Sequence, residues 1–163
     1  MNSERAGVRL GIDVGDARVG VAASDPDALL ATPVMTLRRD TNHGSDLRMI
    51  TRIVQDRACS VVYVGLPLSL SGVETPSSQK ARDFAQSLAE RLAEHLADVQ
   101  VRLIDERLST VSASEKMRAA GVESKNQRDA IDQAAAVEIL THALNMRAAQ
   151  AAEPGTRVFH SSA

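Results

Sequence analysis

The stretch Leu10–Asp25, LGIDVGDARVGVAASD, decides how the rest of the chain is read. Val8, Leu10, Ile12 and Val14 are apolar at every second position, the pattern of a pleated strand with one buried face. Val19, Val21 and Ala23 repeat it. Gly15, Asp16 and Ala17 lie between the runs and suit a tight antiparallel connection. The stretch is therefore expected to form a hairpin, with Asp13 near the end of its first strand. A carboxylate inside an apolar run is costly to bury unless it is paired or bound to a metal. Gly11 and Gly15 flank Asp13, and glycine lets another group approach the backbone closely. Asp13 is either a turn-capping residue that bonds nearby N–H groups or a metal ligand at the mouth of a sheet. The second reading requires partner acids elsewhere in the chain.

Outward from the hairpin, Ala31–Leu37 suits a third strand, and Pro33 places it at an edge, where a missing N–H matters least. Arg38–Ser45 is polar and reads as a loop. Leu47, Ile50, Ile53 and Val54 fall at helical spacing from Asp46 to about Ala58. Val61–Val64 is a short continuous apolar run, as expected of a strand covered on both faces. Leu66–Ser78 is a long loop, after which Ser77 or Ser78 can cap a helix with the stripe Phe84, Leu88, Leu92 and Leu96. Val99, Val101 and Leu103 alternate as a fifth strand. A helix from Ser109 or Thr110 to about Ala120 and a last helix over about Asp129–Ala148 follow. The expected fold is α/β, a five-stranded mixed sheet of three antiparallel and then two parallel strands, with helices on both faces. Residues 1–148 are expected to form one domain and 149–163 a disordered tail, since the tail has no periodicity.

The composition narrows the function classes. The chain has 163 residues, a net charge of −2, and only Phe84, Phe159 and Tyr63 as aromatics. The core must therefore be aliphatic, and base-stacking platforms are not expected. A nucleic-acid partner would need a local basic patch rather than a global one. Cys59 is the single cysteine, which excludes an intrachain disulfide and suits a reducing compartment. No apolar run is long enough to span a bilayer, so a cytoplasmic protein is expected.

Candidate chemistry gathers at the carboxyl ends of the strands, where open α/β sheets bind ligands. Asp13 ends the first strand, Asp105 and Glu106 follow the last, and Asp132 lies near the start of the final helix. Small residues Ala134–Ala136 would let that helix sit close to the sheet and bring Asp132 to Asp13. Two divalent cations ~3.5–4 Å apart can activate a water and stabilise the leaving oxygen of a phosphodiester. A donor set of carboxylates without His or Cys favours Mg²⁺ or Mn²⁺ over zinc. Each acid also has an ordinary reading: Asp132 as a first-turn residue favoured by the helix dipole, Glu106 as a surface partner of Arg107 or Arg102. Arg18, Arg107, Lys125 and Arg128, with Lys116 and Arg118, lie where a phosphate backbone would need them. The alternative for these is a solvated charged face.

Four blocks in order are LGIDVGDARVGVAASD, VGLPLSLSG with RDFAQSL, DERLST with Ala113, and DQAAAVEIL. Together, over about Leu10–Leu144, they resemble the YqgF/RuvX family of Holliday junction resolvases, which has an RNase H-like fold. The resemblance implies a metal-dependent nuclease. It matches Asp13, Glu106 and Asp132 to the catalytic, metal-holding acids, with Asp105 in reserve for the second position. The family is also linked to maturation of the 5′ end of precursor 16S rRNA, so the implied partner is a four-way DNA junction or precursor rRNA. Junction cutting by paired incisions would further imply a homodimer. The chain departs from the family where Ala17 precedes Arg18, in place of a pair of basic residues, and where Ser109-Thr110 replaces Thr-Thr. Two other readings compete: a nucleic-acid-binding module without catalysis, and a nucleotide-binding domain like those of actin and sugar kinases, which Asp-Val-Gly after a strand also resembles.

Overall fold

The computed structural model describes residues 6–108 and 125–160. Six strands form one sheet in the order β3-β2-β1-β4-β5-β6. These are β1 (Val8–Val14), β2 (Arg18–Ser24), β3 (Ala31–Arg38), β4 (Cys59–Leu66), β5 (Gln100–Asp105) and β6 (Thr156–Val158). β1, β2 and β3 are antiparallel neighbours, and β1, β4 and β5 are parallel. Helices α1 (Ser45–Asp56) and α2 (Pro76–His95) pack against one face, and α3 (Lys125–Gln150) packs against the other. The expected class and the edge position of β3 hold; the strand count rises from five to six.

Alternation sorts the side chains of β1. Leu10 and Ile12 are fully buried against α1 and α2, while Gly11 faces α3. β4 is covered on both sides, as its continuous apolar run implies: Val62 and Val64 join the first face, Val61 and Tyr63 the second. Each fully buried Val, Leu or Ile stabilises the fold by about 1.5–3 kcal/mol. Cys59 is buried in the first cluster, and burial pushes its thiol up to about 11.

Two expectations change. The capping residue of α2 is Thr75 rather than Ser77 or Ser78. Its hydroxyl accepts from the Ser78 N–H at 3.2 Å, the Ser78 hydroxyl accepts from the Thr75 N–H at 2.9 Å, and Pro76 follows at the first helical position. The segment beyond 148 is not a structureless tail over its described part. α3 runs to Gln150, and β6 then pairs antiparallel with β5, with Val158 opposite Val101. Gly155 makes this possible: at φ 77° it passes so close to β5 that a Cβ would lie 2.2 Å from the Leu103 carbonyl oxygen. The helix expected from Ser109 or Thr110, with Lys116 and Arg118, lies outside the described residues.

Candidate active site

Asp13 stands between two glycines on neighbouring strands. On one side it pairs across the antiparallel ladder with Gly20 of β2. On the other, Ile12 pairs with Val64, so the next residues along the parallel strands, Asp13 and Gly65, run side by side. Asp13 shares the α3-facing side with Gly11, two residues before it. All three glycines are approached from that side. A Cβ on Gly11 would lie 2.7 Å from the Ala136 carbonyl oxygen, and one on Gly20 would lie 2.0 Å from that of Asp132. One on Gly65 would lie 2.3 Å from Glu106 Oε1 and 2.5 Å from Ile139 Cδ1. The sheet is thus bare of side chains where the start of α3 and the Glu106 carboxylate come down on either side of Asp13. The expected close approach of the Asp132 helix is present, and it depends on glycines in the sheet as well as alanines in the helix.

The elements explain why each acid is there. Asp13 is half-buried near the end of β1, just before the turn in which the Gly15 N–H donates to the Arg18 carbonyl at 2.9 Å. Glu106 opens a short 3-10 turn over Glu106–Leu108 that leaves the end of β5. Its carboxylate lies on the Ile104 side of the sheet, over Gly65, which pairs with Ile104. Asp132 is in the third turn of α3, and Thr36 and Gln133 fix this end of the helix to β3. The Thr36 hydroxyl donates to the Asp129 carbonyl at 2.8 Å, and the Gln133 side-chain amide donates to Thr36 Oγ1 at 3.2 Å.

The carboxylates themselves are not drawn into one cluster. Asp132 Oδ2 accepts from Arg18 Nε at 2.7 Å. Among the described residues, no three His, Cys, Asp or Glu side chains are gathered closely enough to hold a metal ion. Like charges at short range oppose one another, and the Arg18 guanidinium offers Asp132 an opposite charge instead. Asp105 goes elsewhere. It pairs with Leu66, on the opposite side of β5 from Ile104, and both its oxygens accept from Arg107. The side-chain hydrogen bond from Arg107 holds the Asp105 carboxyl below its usual range. Arg107 is thereby committed to Asp105, with its guanidinium against Gly72 in the connection between β4 and α2.

Among the basic residues, Arg18 and Arg128 line one cavity of 370 Å³ at the mouth of the β2–β3 hairpin. Lys125 opens α3, but its side chain lies outside the described residues. Arg38 lines the same cavity. Sequence reasoning missed it because it reads as the first residue of a polar loop; its place opposite Arg18 follows only from the strand register.

The donor chemistry fits a hard divalent ion, since Asp13, Glu106 and Asp132 offer oxygen ligands alone. No helix of the described residues is long and apolar enough to cross a membrane.

Comparison with known proteins supplies the lineage. The chain is 52% identical over 153 residues to a protein of Nocardioides sp. (strain ATCC BAA-499 / JS614) named "Putative pre-16S rRNA nuclease", covering 93% of this chain and 96% of the relative. It is 47% identical over 154 residues to a Clavibacter sepedonicus protein of the same name, covering 94% and 92%. Among solved structures it is similar in fold to T. thermophilus RuvC in complex with Holliday junction substrate, at TM-score 0.57 and 16% identity, over 93% of this chain and 99% of that one. The family described as RuvX: Holliday junction resolvase matches residues 7–146. The chain belongs to this RuvX family, nucleases that hydrolyse phosphodiester bonds.

Proposed function

We propose that the chain is a metal-dependent endonuclease of structured nucleic acid, acting on a four-way DNA junction or on the 5′ end of precursor 16S rRNA. The observation that carries this reading is the placement of Asp13 between Gly20 and Gly65, with the start of α3 over one glycine and the Glu106 carboxylate over the other. Asp13, Glu106 and Asp132 would hold Mg²⁺ or Mn²⁺. A pair of such ions supplies an activated water and a counter-charge for the leaving oxygen. Arg18 neutralises Asp132 and stands where it can meet a substrate phosphate, with Arg128 and Lys125 near the opening of α3. Arg107 serves the site less directly, through its pair with Asp105.

Asp13→Asn tests the reading. It keeps size and removes charge, so the thermal melt should stay within a few degrees of the parent. Mg²⁺-dependent cleavage should fall by at least about 10²–10³-fold, the scale on which loss of one electrostatic catalytic group is felt. Full cleavage by a purified Asp13→Asn protein would remove Asp13 from the site. Comparing a four-way junction with a 5′-extended 16S rRNA fragment, in the same metal and salt, separates the two substrates. Symmetric incision of a junction requires two copies of the chain, so light scattering that finds a strict monomer favours the rRNA role.

A further inference from the structure

Arg18 and Arg38 are direct partners across the β2–β3 ladder. Like charges opposite one another in a sheet oppose pairing. The Arg39 N–H donates to the Ala17 carbonyl at 2.9 Å, so the ladder continues one residue further and holds the two arginines in place. Both line the 370 Å³ cavity, and α3 adds Arg128 and Asp129. The Thr36 hydroxyl, bonded to the Asp129 carbonyl, ties that end of α3 to the same strand as Arg38. Arg18 reaches from this cavity to Asp132. Among the described residues no carboxylate forms an ion pair with the exposed Arg38.

The register sets two arginines opposite one another on paired strands, and Asp132 balances the charge of Arg18 but not that of Arg38. An anion bound between the two arginines would balance the remaining charge. The guanidinium geometry matches a phosphodiester oxygen pair. Arg18, which lines the cavity, is paired with Asp132. Arg18, Arg38 and Arg128 line the cavity together with one acidic residue, Asp129.

We infer that Arg38 is a substrate-positioning residue which, with Arg18 and Arg128, forms a subsite for one backbone phosphate of the nucleic acid. This subsite deepens the nuclease reading and rests on it. Its ligand is the phosphodiester backbone, so it does not read sequence, and DNA and RNA can both occupy it.

The test is Arg38→Gln, with Arg38→Lys beside it, in the full chain. Binding is measured to a fluorescein-labelled four-way DNA junction and to a 5′-extended 16S rRNA fragment over a range of salt. Arg38→Gln should lower the slope of log affinity against log salt by ~0.9 on duplex DNA and ~0.7 on single strands, the loss of one phosphate contact. KM for cleavage should rise about threefold to tenfold with kcat unchanged. Arg38→Lys should recover the salt slope. Because the variant removes a like-charge pair, its Tm should hold or rise by about 1 °C. An unchanged salt slope and KM overturn the subsite. So does a lowered Tm, which would make Arg38 structural. Absence of cleavage by the parent protein on both probes would instead overturn the nuclease reading, while the binding slope would still test Arg38.

Discussion

β1 presents two charged residues to α3, Arg9 at its start and Asp13 near its end, with Gly11 between them on the same face. Their surroundings differ. Arg9 is 3% exposed and fully engaged. Its guanidinium donates to the Ala6 carbonyl at 2.8 Å, to Tyr63 Oη at 3.0 Å and to Glu153. Tyr63 Oη donates in turn to Glu153 Oε2 at 2.6 Å, and Arg147 approaches the same carboxylate at 3.4 Å. Asp13, by contrast, is half-buried between Gly20 and Gly65, with the start of α3 close over one glycine and Glu106 over the other. One end of the strand spends its charge on closing the fold. The other sets its charge where the sheet is bare of side chains, beside the start of α3. That contrast separates a structural ion cluster from a candidate catalytic one more clearly than burial or residue type alone.

The largest effect expected from breaking the contrast lies at the closed end. Glu153→Gln leaves the Arg9 guanidinium buried without its counter-charge. Breaking a buried pair costs about 3–5 kcal/mol, and because Glu153 is a quarter exposed the lower end applies, about 3 kcal/mol. For a chain of this size that is a fall in Tm of about 6–12 °C. Cleavage at 25 °C should be unchanged while the protein is folded. The pH dependence follows from the Glu153 carboxyl. Burial pushes it up, but the hydrogen bonds from Tyr63 and Arg9 and the nearby arginine charges outweigh burial, and the net shift is downward from 4.5. A carboxyl lowered on folding adds stability above 4.5 and loses it as pH falls through its folded value. The gap in Tm between parent and Glu153→Gln should therefore be widest near neutrality and narrow below pH 4.5. A gap that stays constant into acid would mean that Glu153 acts by packing rather than by charge.

At the open end the corresponding change is Gly65→Ala. The added methyl would meet Glu106 Oε1 and Ile139 Cδ1, both ends of side chains that can shift. The stability cost should therefore stay near 1 kcal/mol. The Glu106 carboxylate, however, must move by an ångström or so. Misplacement on that scale is expected to lower kcat by ~10–10²-fold with little change in Tm. A melt strongly lowered alongside intact cleavage would reverse the assignment of the two ends.

Much of the open end was legible in the sequence, and little of the closed end was. The hairpin, the edge strand β3 and the helices carry periodic apolar residues, and periodicity is local. Asp13 stands out because it interrupts such a pattern, and Asp132 because an alanine run follows it. Glu153 sits 144 positions from Arg9 in a segment with no pattern. β6 is only three residues long, too short for alternation to register, and its pairing depends on Gly155 and on Arg102 donating to the Pro154 carbonyl at 2.7 Å. The opposition of Arg18 and Arg38 needed the strand register. The separation of Asp105 from Glu106 was open to sequence reasoning in principle, since adjacent strand residues face opposite ways; the turn that begins at Glu106 obscured it.

That separation gives the smallest expected effect. Asp105 and Glu106 are neighbours in sequence, yet the carboxylate of Glu106 lies over Gly65 on the α3 side while that of Asp105 is clasped by Arg107. Asp105→Asn removes one exposed ion pair, worth no more than about 1 kcal/mol. It frees Arg107 without touching the floor around Asp13. Cleavage should remain within about threefold of the parent, with a small rise in KM if the released Arg107 loses its fixed position. A loss as deep as that of Asp13→Asn would place a required acid on the other face of β5. The two acids would then have to be brought together by rotation of the turn that follows the strand, and the partition of β1 into a closed and an open end would no longer locate the site.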